Sequence, residues 1–409
     1  MTAPTTVEAE PTSDSEMLRW SSSFPIAAFI GVAAGIIAVS VLAHACLPPL
    51  HHHHRDLQGT DWLSTFSWWD GWWYLGIARR GYVFFPGRQS PVAFFPLYPL
   101  LIRAVGTEIG GPLLAGFLLT VASGLGAAVL FHRWCVEQFG ATTARVAVLL
   151  LLLYPFAFFL MGAVYADALF LLAALAAFVA LEHDRPVLAG LAAALATAAR
   201  PVGVAVVLGL WVLALERKGM FRRPRHRRGG RNAHWRELRS LLRSADLGVL
   251  LAPLGLAAFS CFLWIRFSRP LAFLETAGAR GWDQPPGFHT WLKVDFFRAM
   301  WHGPWTNGHV GHLMINVAAT LVVGAFIPSV FRKLGLGYGV FVVVAVVVTA
   351  ISTKDFVGMG RYSLAAFPCF AVAADTLSLR PWAARASLAI SALGLVMLAQ
   401  LHARGTIVS

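Results

Sequence analysis

Asp70 is the residue around which chemistry can be built. It stands in Asp61-Trp-Leu-Ser-Thr-Phe-Ser-Trp-Trp-Asp70-Gly-Trp-Trp-Tyr-Leu-Gly-Ile-Ala-Arg-Arg-Gly-Tyr82, where five tryptophans crowd around it. A carboxylate among bulky rings is partly desolvated, and desolvation can tune it toward the working range of a general base. The competing reading is an ordinary acid flanking an interfacial helix. Asp61 precedes Trp62 where an N-cap belongs, so capping explains it. At 100° per residue, Trp62, Phe66, Trp69, Trp73 and Ile77 form one apolar stripe with Asp70 at its edge. That pattern predicts a helix lying in a membrane interface, its rings in the headgroup layer.

The elements that must position Asp70 follow from composition. Of the 409 residues, 57% are hydrophobic and 13% charged, against about 45–50% and 25% in soluble chains. Long continuous apolar runs exclude a β-barrel, whose strands alternate, and predict an all-α polytopic membrane protein. Eleven spans are expected, at 24–46, 112–131, 146–161, 167–182, 187–200, 201–216, 247–267, 309–328, 336–351, 362–378 and 386–402. The first is longer than a signal-peptide core of roughly 7–15 residues, so it is read as retained. Residues 1–23 read as a disordered cytoplasmic tail, 24–402 as the transmembrane domain and 403–409 as a short external tail. Pro155, Pro186 and Pro201 interrupt the apolar run between 146 and 216, where broken helices are expected. Cys46, Cys135, Cys261 and Cys369 lack paired spacing and read as small packing residues.

Orientation rests on 217–243, which holds eleven Lys or Arg and one acid, Glu237, and so supplies +10 of the chain's +13. Such a segment stays cytoplasmic, as a solvated loop facing lipid headgroups rather than a nucleic acid. Parity then puts loop 217–246 inside. It puts loops 47–111, 268–308 and 352–361, with the turns at Tyr165–Asp167 and Arg200–Pro201, on the external side. Interfacial helices are expected in those external loops. Asp70, Asp167, Arg200, Asp283, Lys354 and Arg361 therefore share one membrane face.

Trp69-Asp70-Gly-Trp-Trp-Tyr-Leu-Gly-Ile-Ala-Arg-Arg-Gly-Tyr82 with Phe94-Phe-Pro-Leu-Tyr-Pro99 resembles the signature of the PIG-V mannosyltransferases, integral-membrane glycosyltransferases of the GT-C class. Tyr154-Pro-Phe-Ala-Phe-Phe159, Tyr165-Ala-Asp-Ala-Leu-Phe170, Ala199-Arg-Pro-Val-Gly203, Gly360-Arg-Tyr-Ser363 and Phe367-Pro368 extend the likeness from about residue 60 to 370. The resemblance implies a GT-C-like bundle that transfers mannose, with inversion, from a polyprenyl-phosphate sugar donor to an acceptor hydroxyl on a lipid or glycan. It implies that the functional acid of the first external loop is Asp70. No adjacent Asp-x-Asp pair demands a divalent cation, though Mg or Mn stays open, and no metal ligands are assigned. Neither the basic segment nor His51–His54 maps onto the family pattern.

Transfer of this kind needs a base for the acceptor and a cation for the departing phosphate. Arg361 with Tyr362 is the preferred clamp, because a guanidinium fork matches phosphate oxygens. Arg200 and Lys354 are further candidates, with snorkelling at a helix end as the plain alternative for all three. Asp167 beside Tyr165 reads either as a second site acid or as an N-terminal helix acid. Trp282, next to Asp283, can stack on a sugar or anchor the interface. The run His51–His54 reads as a solvated loop. The expected protein is a hexosyltransferase of a bacterial plasma membrane, a setting that its Ala, Arg, Gly and Val content suits. A lipid-linked-sugar transporter or flippase, needing no base, and a non-catalytic scaffold remain the other classes.

Overall fold

The computed structural model describes residues 13–50, 62–220, 244–303 and 309–407. His51–His54, Asp61 and the basic run 221–243 lie outside the described residues.

The helices begin and end where the chain's own chemistry requires. In order they are α1 Ser13–Cys46, α2 Asp70–Arg80, α3 Leu97–Gly106, α4 Pro112–Phe139, α5 Ala141–Leu152, α6 Asp167–Glu182, α7 Pro186–Ala199 and α8 Gly203–Arg217. Then follow α9 Leu254–Phe267, α10 Ala272–Glu275, α11 Phe288–Trp291, α12 Val294–His302, α13 His309–Leu334, α14 Leu336–Ser352, α15 Met359–Tyr362, α16 Phe367–Ser378 and α17 Pro381–Ala403. Proline opens α4, α7 and α17, where its missing N–H is no loss. Gly140, at φ 83°, ends α4 and returns its N–H to Val136 O. Apolar runs take helical form because in a bilayer each backbone group must find its partner within its own segment.

Four of the described helices are long and apolar enough to cross a membrane: Ser23–Cys46, Pro112–Phe139, Val310–Leu334 and Pro381–Ala403. Ala245–Leu251 and Leu254–Phe267, bent by 42°, form a fifth if they act together. The other expected spans fall on helices of 17 residues or fewer, below the roughly 20 that a span needs. The expected span 146–161 is the clearest departure. Its helix α5 stops at Leu152, and after Pro155 the chain makes a 3-10 turn, Ala157–Leu160. Proline disfavours helical conformation at the residue before it, and here the helix ends just short of Pro155. At the N-terminus, α1 starts at Ser13 and so takes in part of the segment expected to be a tail.

Packing is tight where glycine permits it. α14 lies along α8, α6 is held between α4 and α7, and α1 meets α17. At Gly124 of α4 a Cβ would stand 2.0 Å from Leu160 O, so only glycine admits the turn after Pro155.

The stretch 62–80 is not one interfacial helix. A 3-10 turn spans Trp62–Phe66, the chain breaks at Ser67–Trp69, and α2 starts at Asp70. Trp62 is exposed, but Leu63 through Trp68 are buried. The cause is tertiary. Thr65 Oγ1 donates to Ala403 O (3.2 Å), Val164 N to Phe66 O (2.8 Å) and Trp69 Nε1 to Gly405 O (3.1 Å). The expected external tail beyond 403 is thus docked: Leu50 N donates to Arg404 O (2.9 Å) and Arg404 Nε to Pro48 O (3.0 Å).

Candidate active site

Asp70 is the first residue of α2, raised there by an unusual backbone. Trp69 just before it has φ 58° and ψ −113°, a sparsely populated positive-φ conformation that costs a non-glycine residue about 1–3 kcal/mol. Its indole bond to Gly405 O helps hold that geometry. The break between the 3-10 turn and α2 turns the Asp70 carboxylate toward the helices that follow.

The carboxylate meets Arg361. Arg361 Nη1 donates to Asp70 Oδ2 at 2.8 Å, and its Nη2 donates to Tyr362 Oη at 3.2 Å. Nε lies 3.9 Å from Asp167 Oδ1. Arg200 donates to that same Asp167 oxygen. Two carboxylates and two guanidiniums form one linked set, in which Asp167 and Arg361 are buried and Asp70 is about one-third exposed at 32%. Burial alone would push the Arg361 guanidinium down, but Tyr362, Asp70, Asp167 and Tyr165 outweigh it and hold it well above the ordinary arginine range.

Aromatic rings line this set. The Arg361 guanidinium carbon lies 4.9 Å from the ring centres of both Tyr165 and Tyr362, and 5.3 Å from that of Phe159. Arg200 stacks 4.9 Å from the Tyr362 ring. Such faces hold a cation in place and limit water at the pair. The Tyr165 hydroxyl donates to Trp68 O (2.9 Å) and receives the Asp70 amide (3.3 Å). Burial, reinforced by Asp70, raises Tyr165 well above a normal tyrosine, so it serves as a donor.

Most of the sequence candidates therefore converge, and two do not. Lys354 lies 3.9 Å from Asp283 and makes no bond to the Asp70 set. Trp282 packs 5.7 Å from Trp73 and 6.1 Å from Phe94, joining loop 268–303 to α2. The backbones of Arg88 and Arg280 bridge the same two loops. Among the described residues, no three of His, Cys, Asp and Glu are grouped to hold a metal ion.

Asn316 of α13 was not a sequence candidate. It is fully buried, and its Oδ1 accepts the Gly360 amide at 2.9 Å, one residue before Arg361. Because a backbone N–H can only donate, this contact fixes the amide, and Nδ2 donates to His312 O at 3.0 Å. A lone asparagine within an apolar run was the signal that marked it. His402 also escaped attention. It is buried among Phe158, Phe159 and Tyr165, at ring distances of 5.1, 5.6 and 6.1 Å.

With this geometry in view, comparison with known proteins bears on identity. Residues 56–222 match the Mannosyltransferase (PIG-V) family. The match bears out the resemblance carried by Trp69-Asp70-Gly-Trp-Trp, and it spans Tyr165, Asp167 and Arg200. Arg361 and Tyr362 lie beyond it, so their place beside the matched segment rests on geometry alone. No curated protein matches the chain in sequence. Among solved structures, ArnT from Cupriavidus metallidurans, bound to undecaprenyl phosphate, is 14% identical with a TM-score of 0.49, over 93% of this chain and 76% of that one. The archaeal oligosaccharyltransferase AglB from Archaeoglobus fulgidus, in complex with an inhibitory peptide and a dolichol-phosphate, is 14% identical with a TM-score of 0.45, over 93% of this chain and 56% of that one.

Proposed function

We propose that this PIG-V-related membrane protein transfers a mannosyl group from a polyprenyl-phosphate donor to a hydroxyl of a lipid or glycan acceptor, with inversion, at the external membrane face. The observation that carries the reading is the pairing of Asp70 with Arg361, a base candidate and a phosphate-binding candidate held 2.8 Å apart. Each group occupies the other until substrate arrives. A donor phosphate competes with Asp70 for the Arg361 fork, which suits phosphate oxygens as well as carboxylate ones. Once displaced, Asp70 is free to accept the proton of the acceptor hydroxyl. The acceptor oxygen then bonds to the anomeric carbon from the face opposite the phosphate. The sugar–phosphate bond breaks, and polyprenyl phosphate leaves as the anion held by Arg361.

Arg200 is a positioning residue in this scheme. By pairing with Asp167 it offsets a second negative charge that would otherwise compete with phosphate for Arg361. Asn316 holds the Gly360 amide and so fixes the backbone that presents the guanidinium. The shared face assigned to Asp70, Asp167, Arg200 and Arg361 supports placing the reaction at one membrane surface, and the basic 217–243 segment supports naming that surface external.

The test is direct. Purified protein in nanodiscs is given radiolabelled polyprenyl-phosphate-mannose and a bacterial membrane-lipid acceptor pool, with GDP-mannose as the alternative donor. Transfer from the lipid donor alone is expected. Transfer from GDP-mannose alone, or from neither donor across several acceptor pools, would overturn the reading.

A further inference from the structure

The tryptophan-rich stretch expected to be one interfacial helix is broken and packs into the fold through Leu63–Trp68, with Trp69, Trp72 and Trp73 half-buried and Trp62 exposed. A different segment carries a more continuous exposed aromatic surface. α11, α12 and the link between them leave Phe288, Trp291, Leu292, Phe297 and Trp301 exposed, with Phe297 at 64% and Trp301 at 84%. Phe297 and Trp301 are four residues apart, so they share one face of α12. Arg298 and His302 border it, both exposed. In water, five bulky apolar side chains on two short helices and their link form a surface that would seek cover.

What covers them follows from where they sit. α11 packs on α14, and α12 packs on α13. α13 contains Val310–Leu334, a segment with the length and composition of a membrane span, and its Leu321 and Val322 are exposed. Val347 and Ile351 of α14 are exposed as well. The aromatic face thus continues an apolar surface already suited to lipid. Aromatic rings flanked by arginine are the composition of a helix at the headgroup boundary. Lys293 fixes the pair to the rest of the fold. Its ammonium donates to Ala350 O and Thr353 O, and to Thr353 Oγ1 at 3.0 Å, covering carbonyls at the end of α14. Phe296 packs 5.1 Å from Phe356, on the segment that leads to Arg361.

We propose that α11 and α12 form a foot resting in the headgroup layer of anionic lipids, held by Lys293 to the segment that carries Arg361. The partner is the bilayer surface itself. Phe297 and Trp301 enter the boundary between headgroups and acyl chains, and Arg298, which is exposed and lies 3.8 Å from Asp295, exchanges that contact for lipid phosphate.

A spin label at Phe297→Cys tests this, in a chain with the exposed cysteines replaced (Cys46→Ser, Cys261→Ser) and reconstituted in nanodiscs. The expected ratio of oxygen to water-soluble nickel-chelate accessibility is several-fold higher at 297 than for a label at Arg280→Cys. Equal, chelate-favoured values at both positions would overturn the foot. Low access to both reagents at 297 would also overturn it, because that pattern reports a protein contact. Phosphatidylglycerol nanodiscs should seat the 297 label deeper than phosphatidylcholine ones, and Arg298→Gln should erase the difference. Identical depth in the two lipids would overturn the anionic preference. None of these readouts depends on transferase activity.

Discussion

Replacing Asp70 with Asn removes a charge and nearly nothing else, which makes it the sharpest perturbation of the site. Arg361 loses a partner at 2.8 Å but keeps Tyr362 Oη at 3.2 Å and Asp167 at 3.9 Å. Stripping one partner from a fully buried pair costs about 3–5 kcal/mol. Asp70 is one-third exposed, and an asparagine oxygen can still accept from Nη1, so the expected cost is about 1–2 kcal/mol. The protein should fold, with its melting temperature lowered by a few degrees. Catalysis should suffer far more. Loss of a general base slows transfer by roughly 10²–10⁴, equivalent to about 3–5 kcal/mol of barrier. Initial rates of labelled mannose transfer from polyprenyl-phosphate-mannose, measured beside thermal unfolding of the same preparations, separate the two effects. A monodisperse Asn variant that transfers at the wild-type rate refutes the base assignment. If both forms also move the lipid-linked sugar across vesicles equally well, the transporter reading takes its place.

Arg361→Lys should fold and raise the KM for the lipid donor about tenfold or more, because one ammonium cannot bond Asp70, Tyr362 and phosphate as the guanidinium does; a donor titration reads this. Gly124→Ala should lower stability by about 3 kcal/mol or more, since its Cβ would stand 2.0 Å from Leu160 O. Gly31→Ala, with nothing within 4 Å, should be neutral or slightly stabilising in the same unfolding assay. Lys293 supplies a pH dependence. Burial lowers it from 10.5 to about 8, with Asp355 opposing. The folded chain therefore releases this proton before the unfolded chain does, and stability rises as pH climbs from about 8 toward 10.5. Between pH 7.5 and 9.5 the wild type should gain about 1–2 kcal/mol that Lys293→Met does not. Equal pH responses in the two proteins would contradict the burial of this ammonium.

How much of this was legible beforehand divides by length scale. Proline and apolar runs act within a few residues, so α6 opens at Asp167 and α7 at Pro186 close to where the sequence put them. The unusual Trp-Asp stretch marked Asp70 without any knowledge of neighbours. The burial of its Leu63–Trp68 part was not legible: periodicity records which residues are apolar, but a lipid-facing stripe and a protein-facing one carry the same pattern. The foot at α11 and α12 has a weaker pattern spread over two short helices, and only its exposure in the fold reveals it.

The sequence by itself determined an all-helical membrane protein, one carboxylate worth testing and a set of cations near helix ends. The sequence preferred Arg361 among those cations, and tertiary structure alone decided which of them meets Asp70. Asp70 and Arg361 are 291 residues apart, and nothing in either local window encodes their pairing. It arises because α2, the start of α6 and the 353–361 segment come together at one end of the bundle. Packing of buried faces fixes that meeting, and Asn316 and the bend after Pro155 hold its backbone in place. Lys354, the less favoured candidate cation at a span end, ended beside Asp283 instead. Charge and spacing nominate residues, while the packing of distant helices selects among them, because an ion pair forms only where the fold brings its two members within reach.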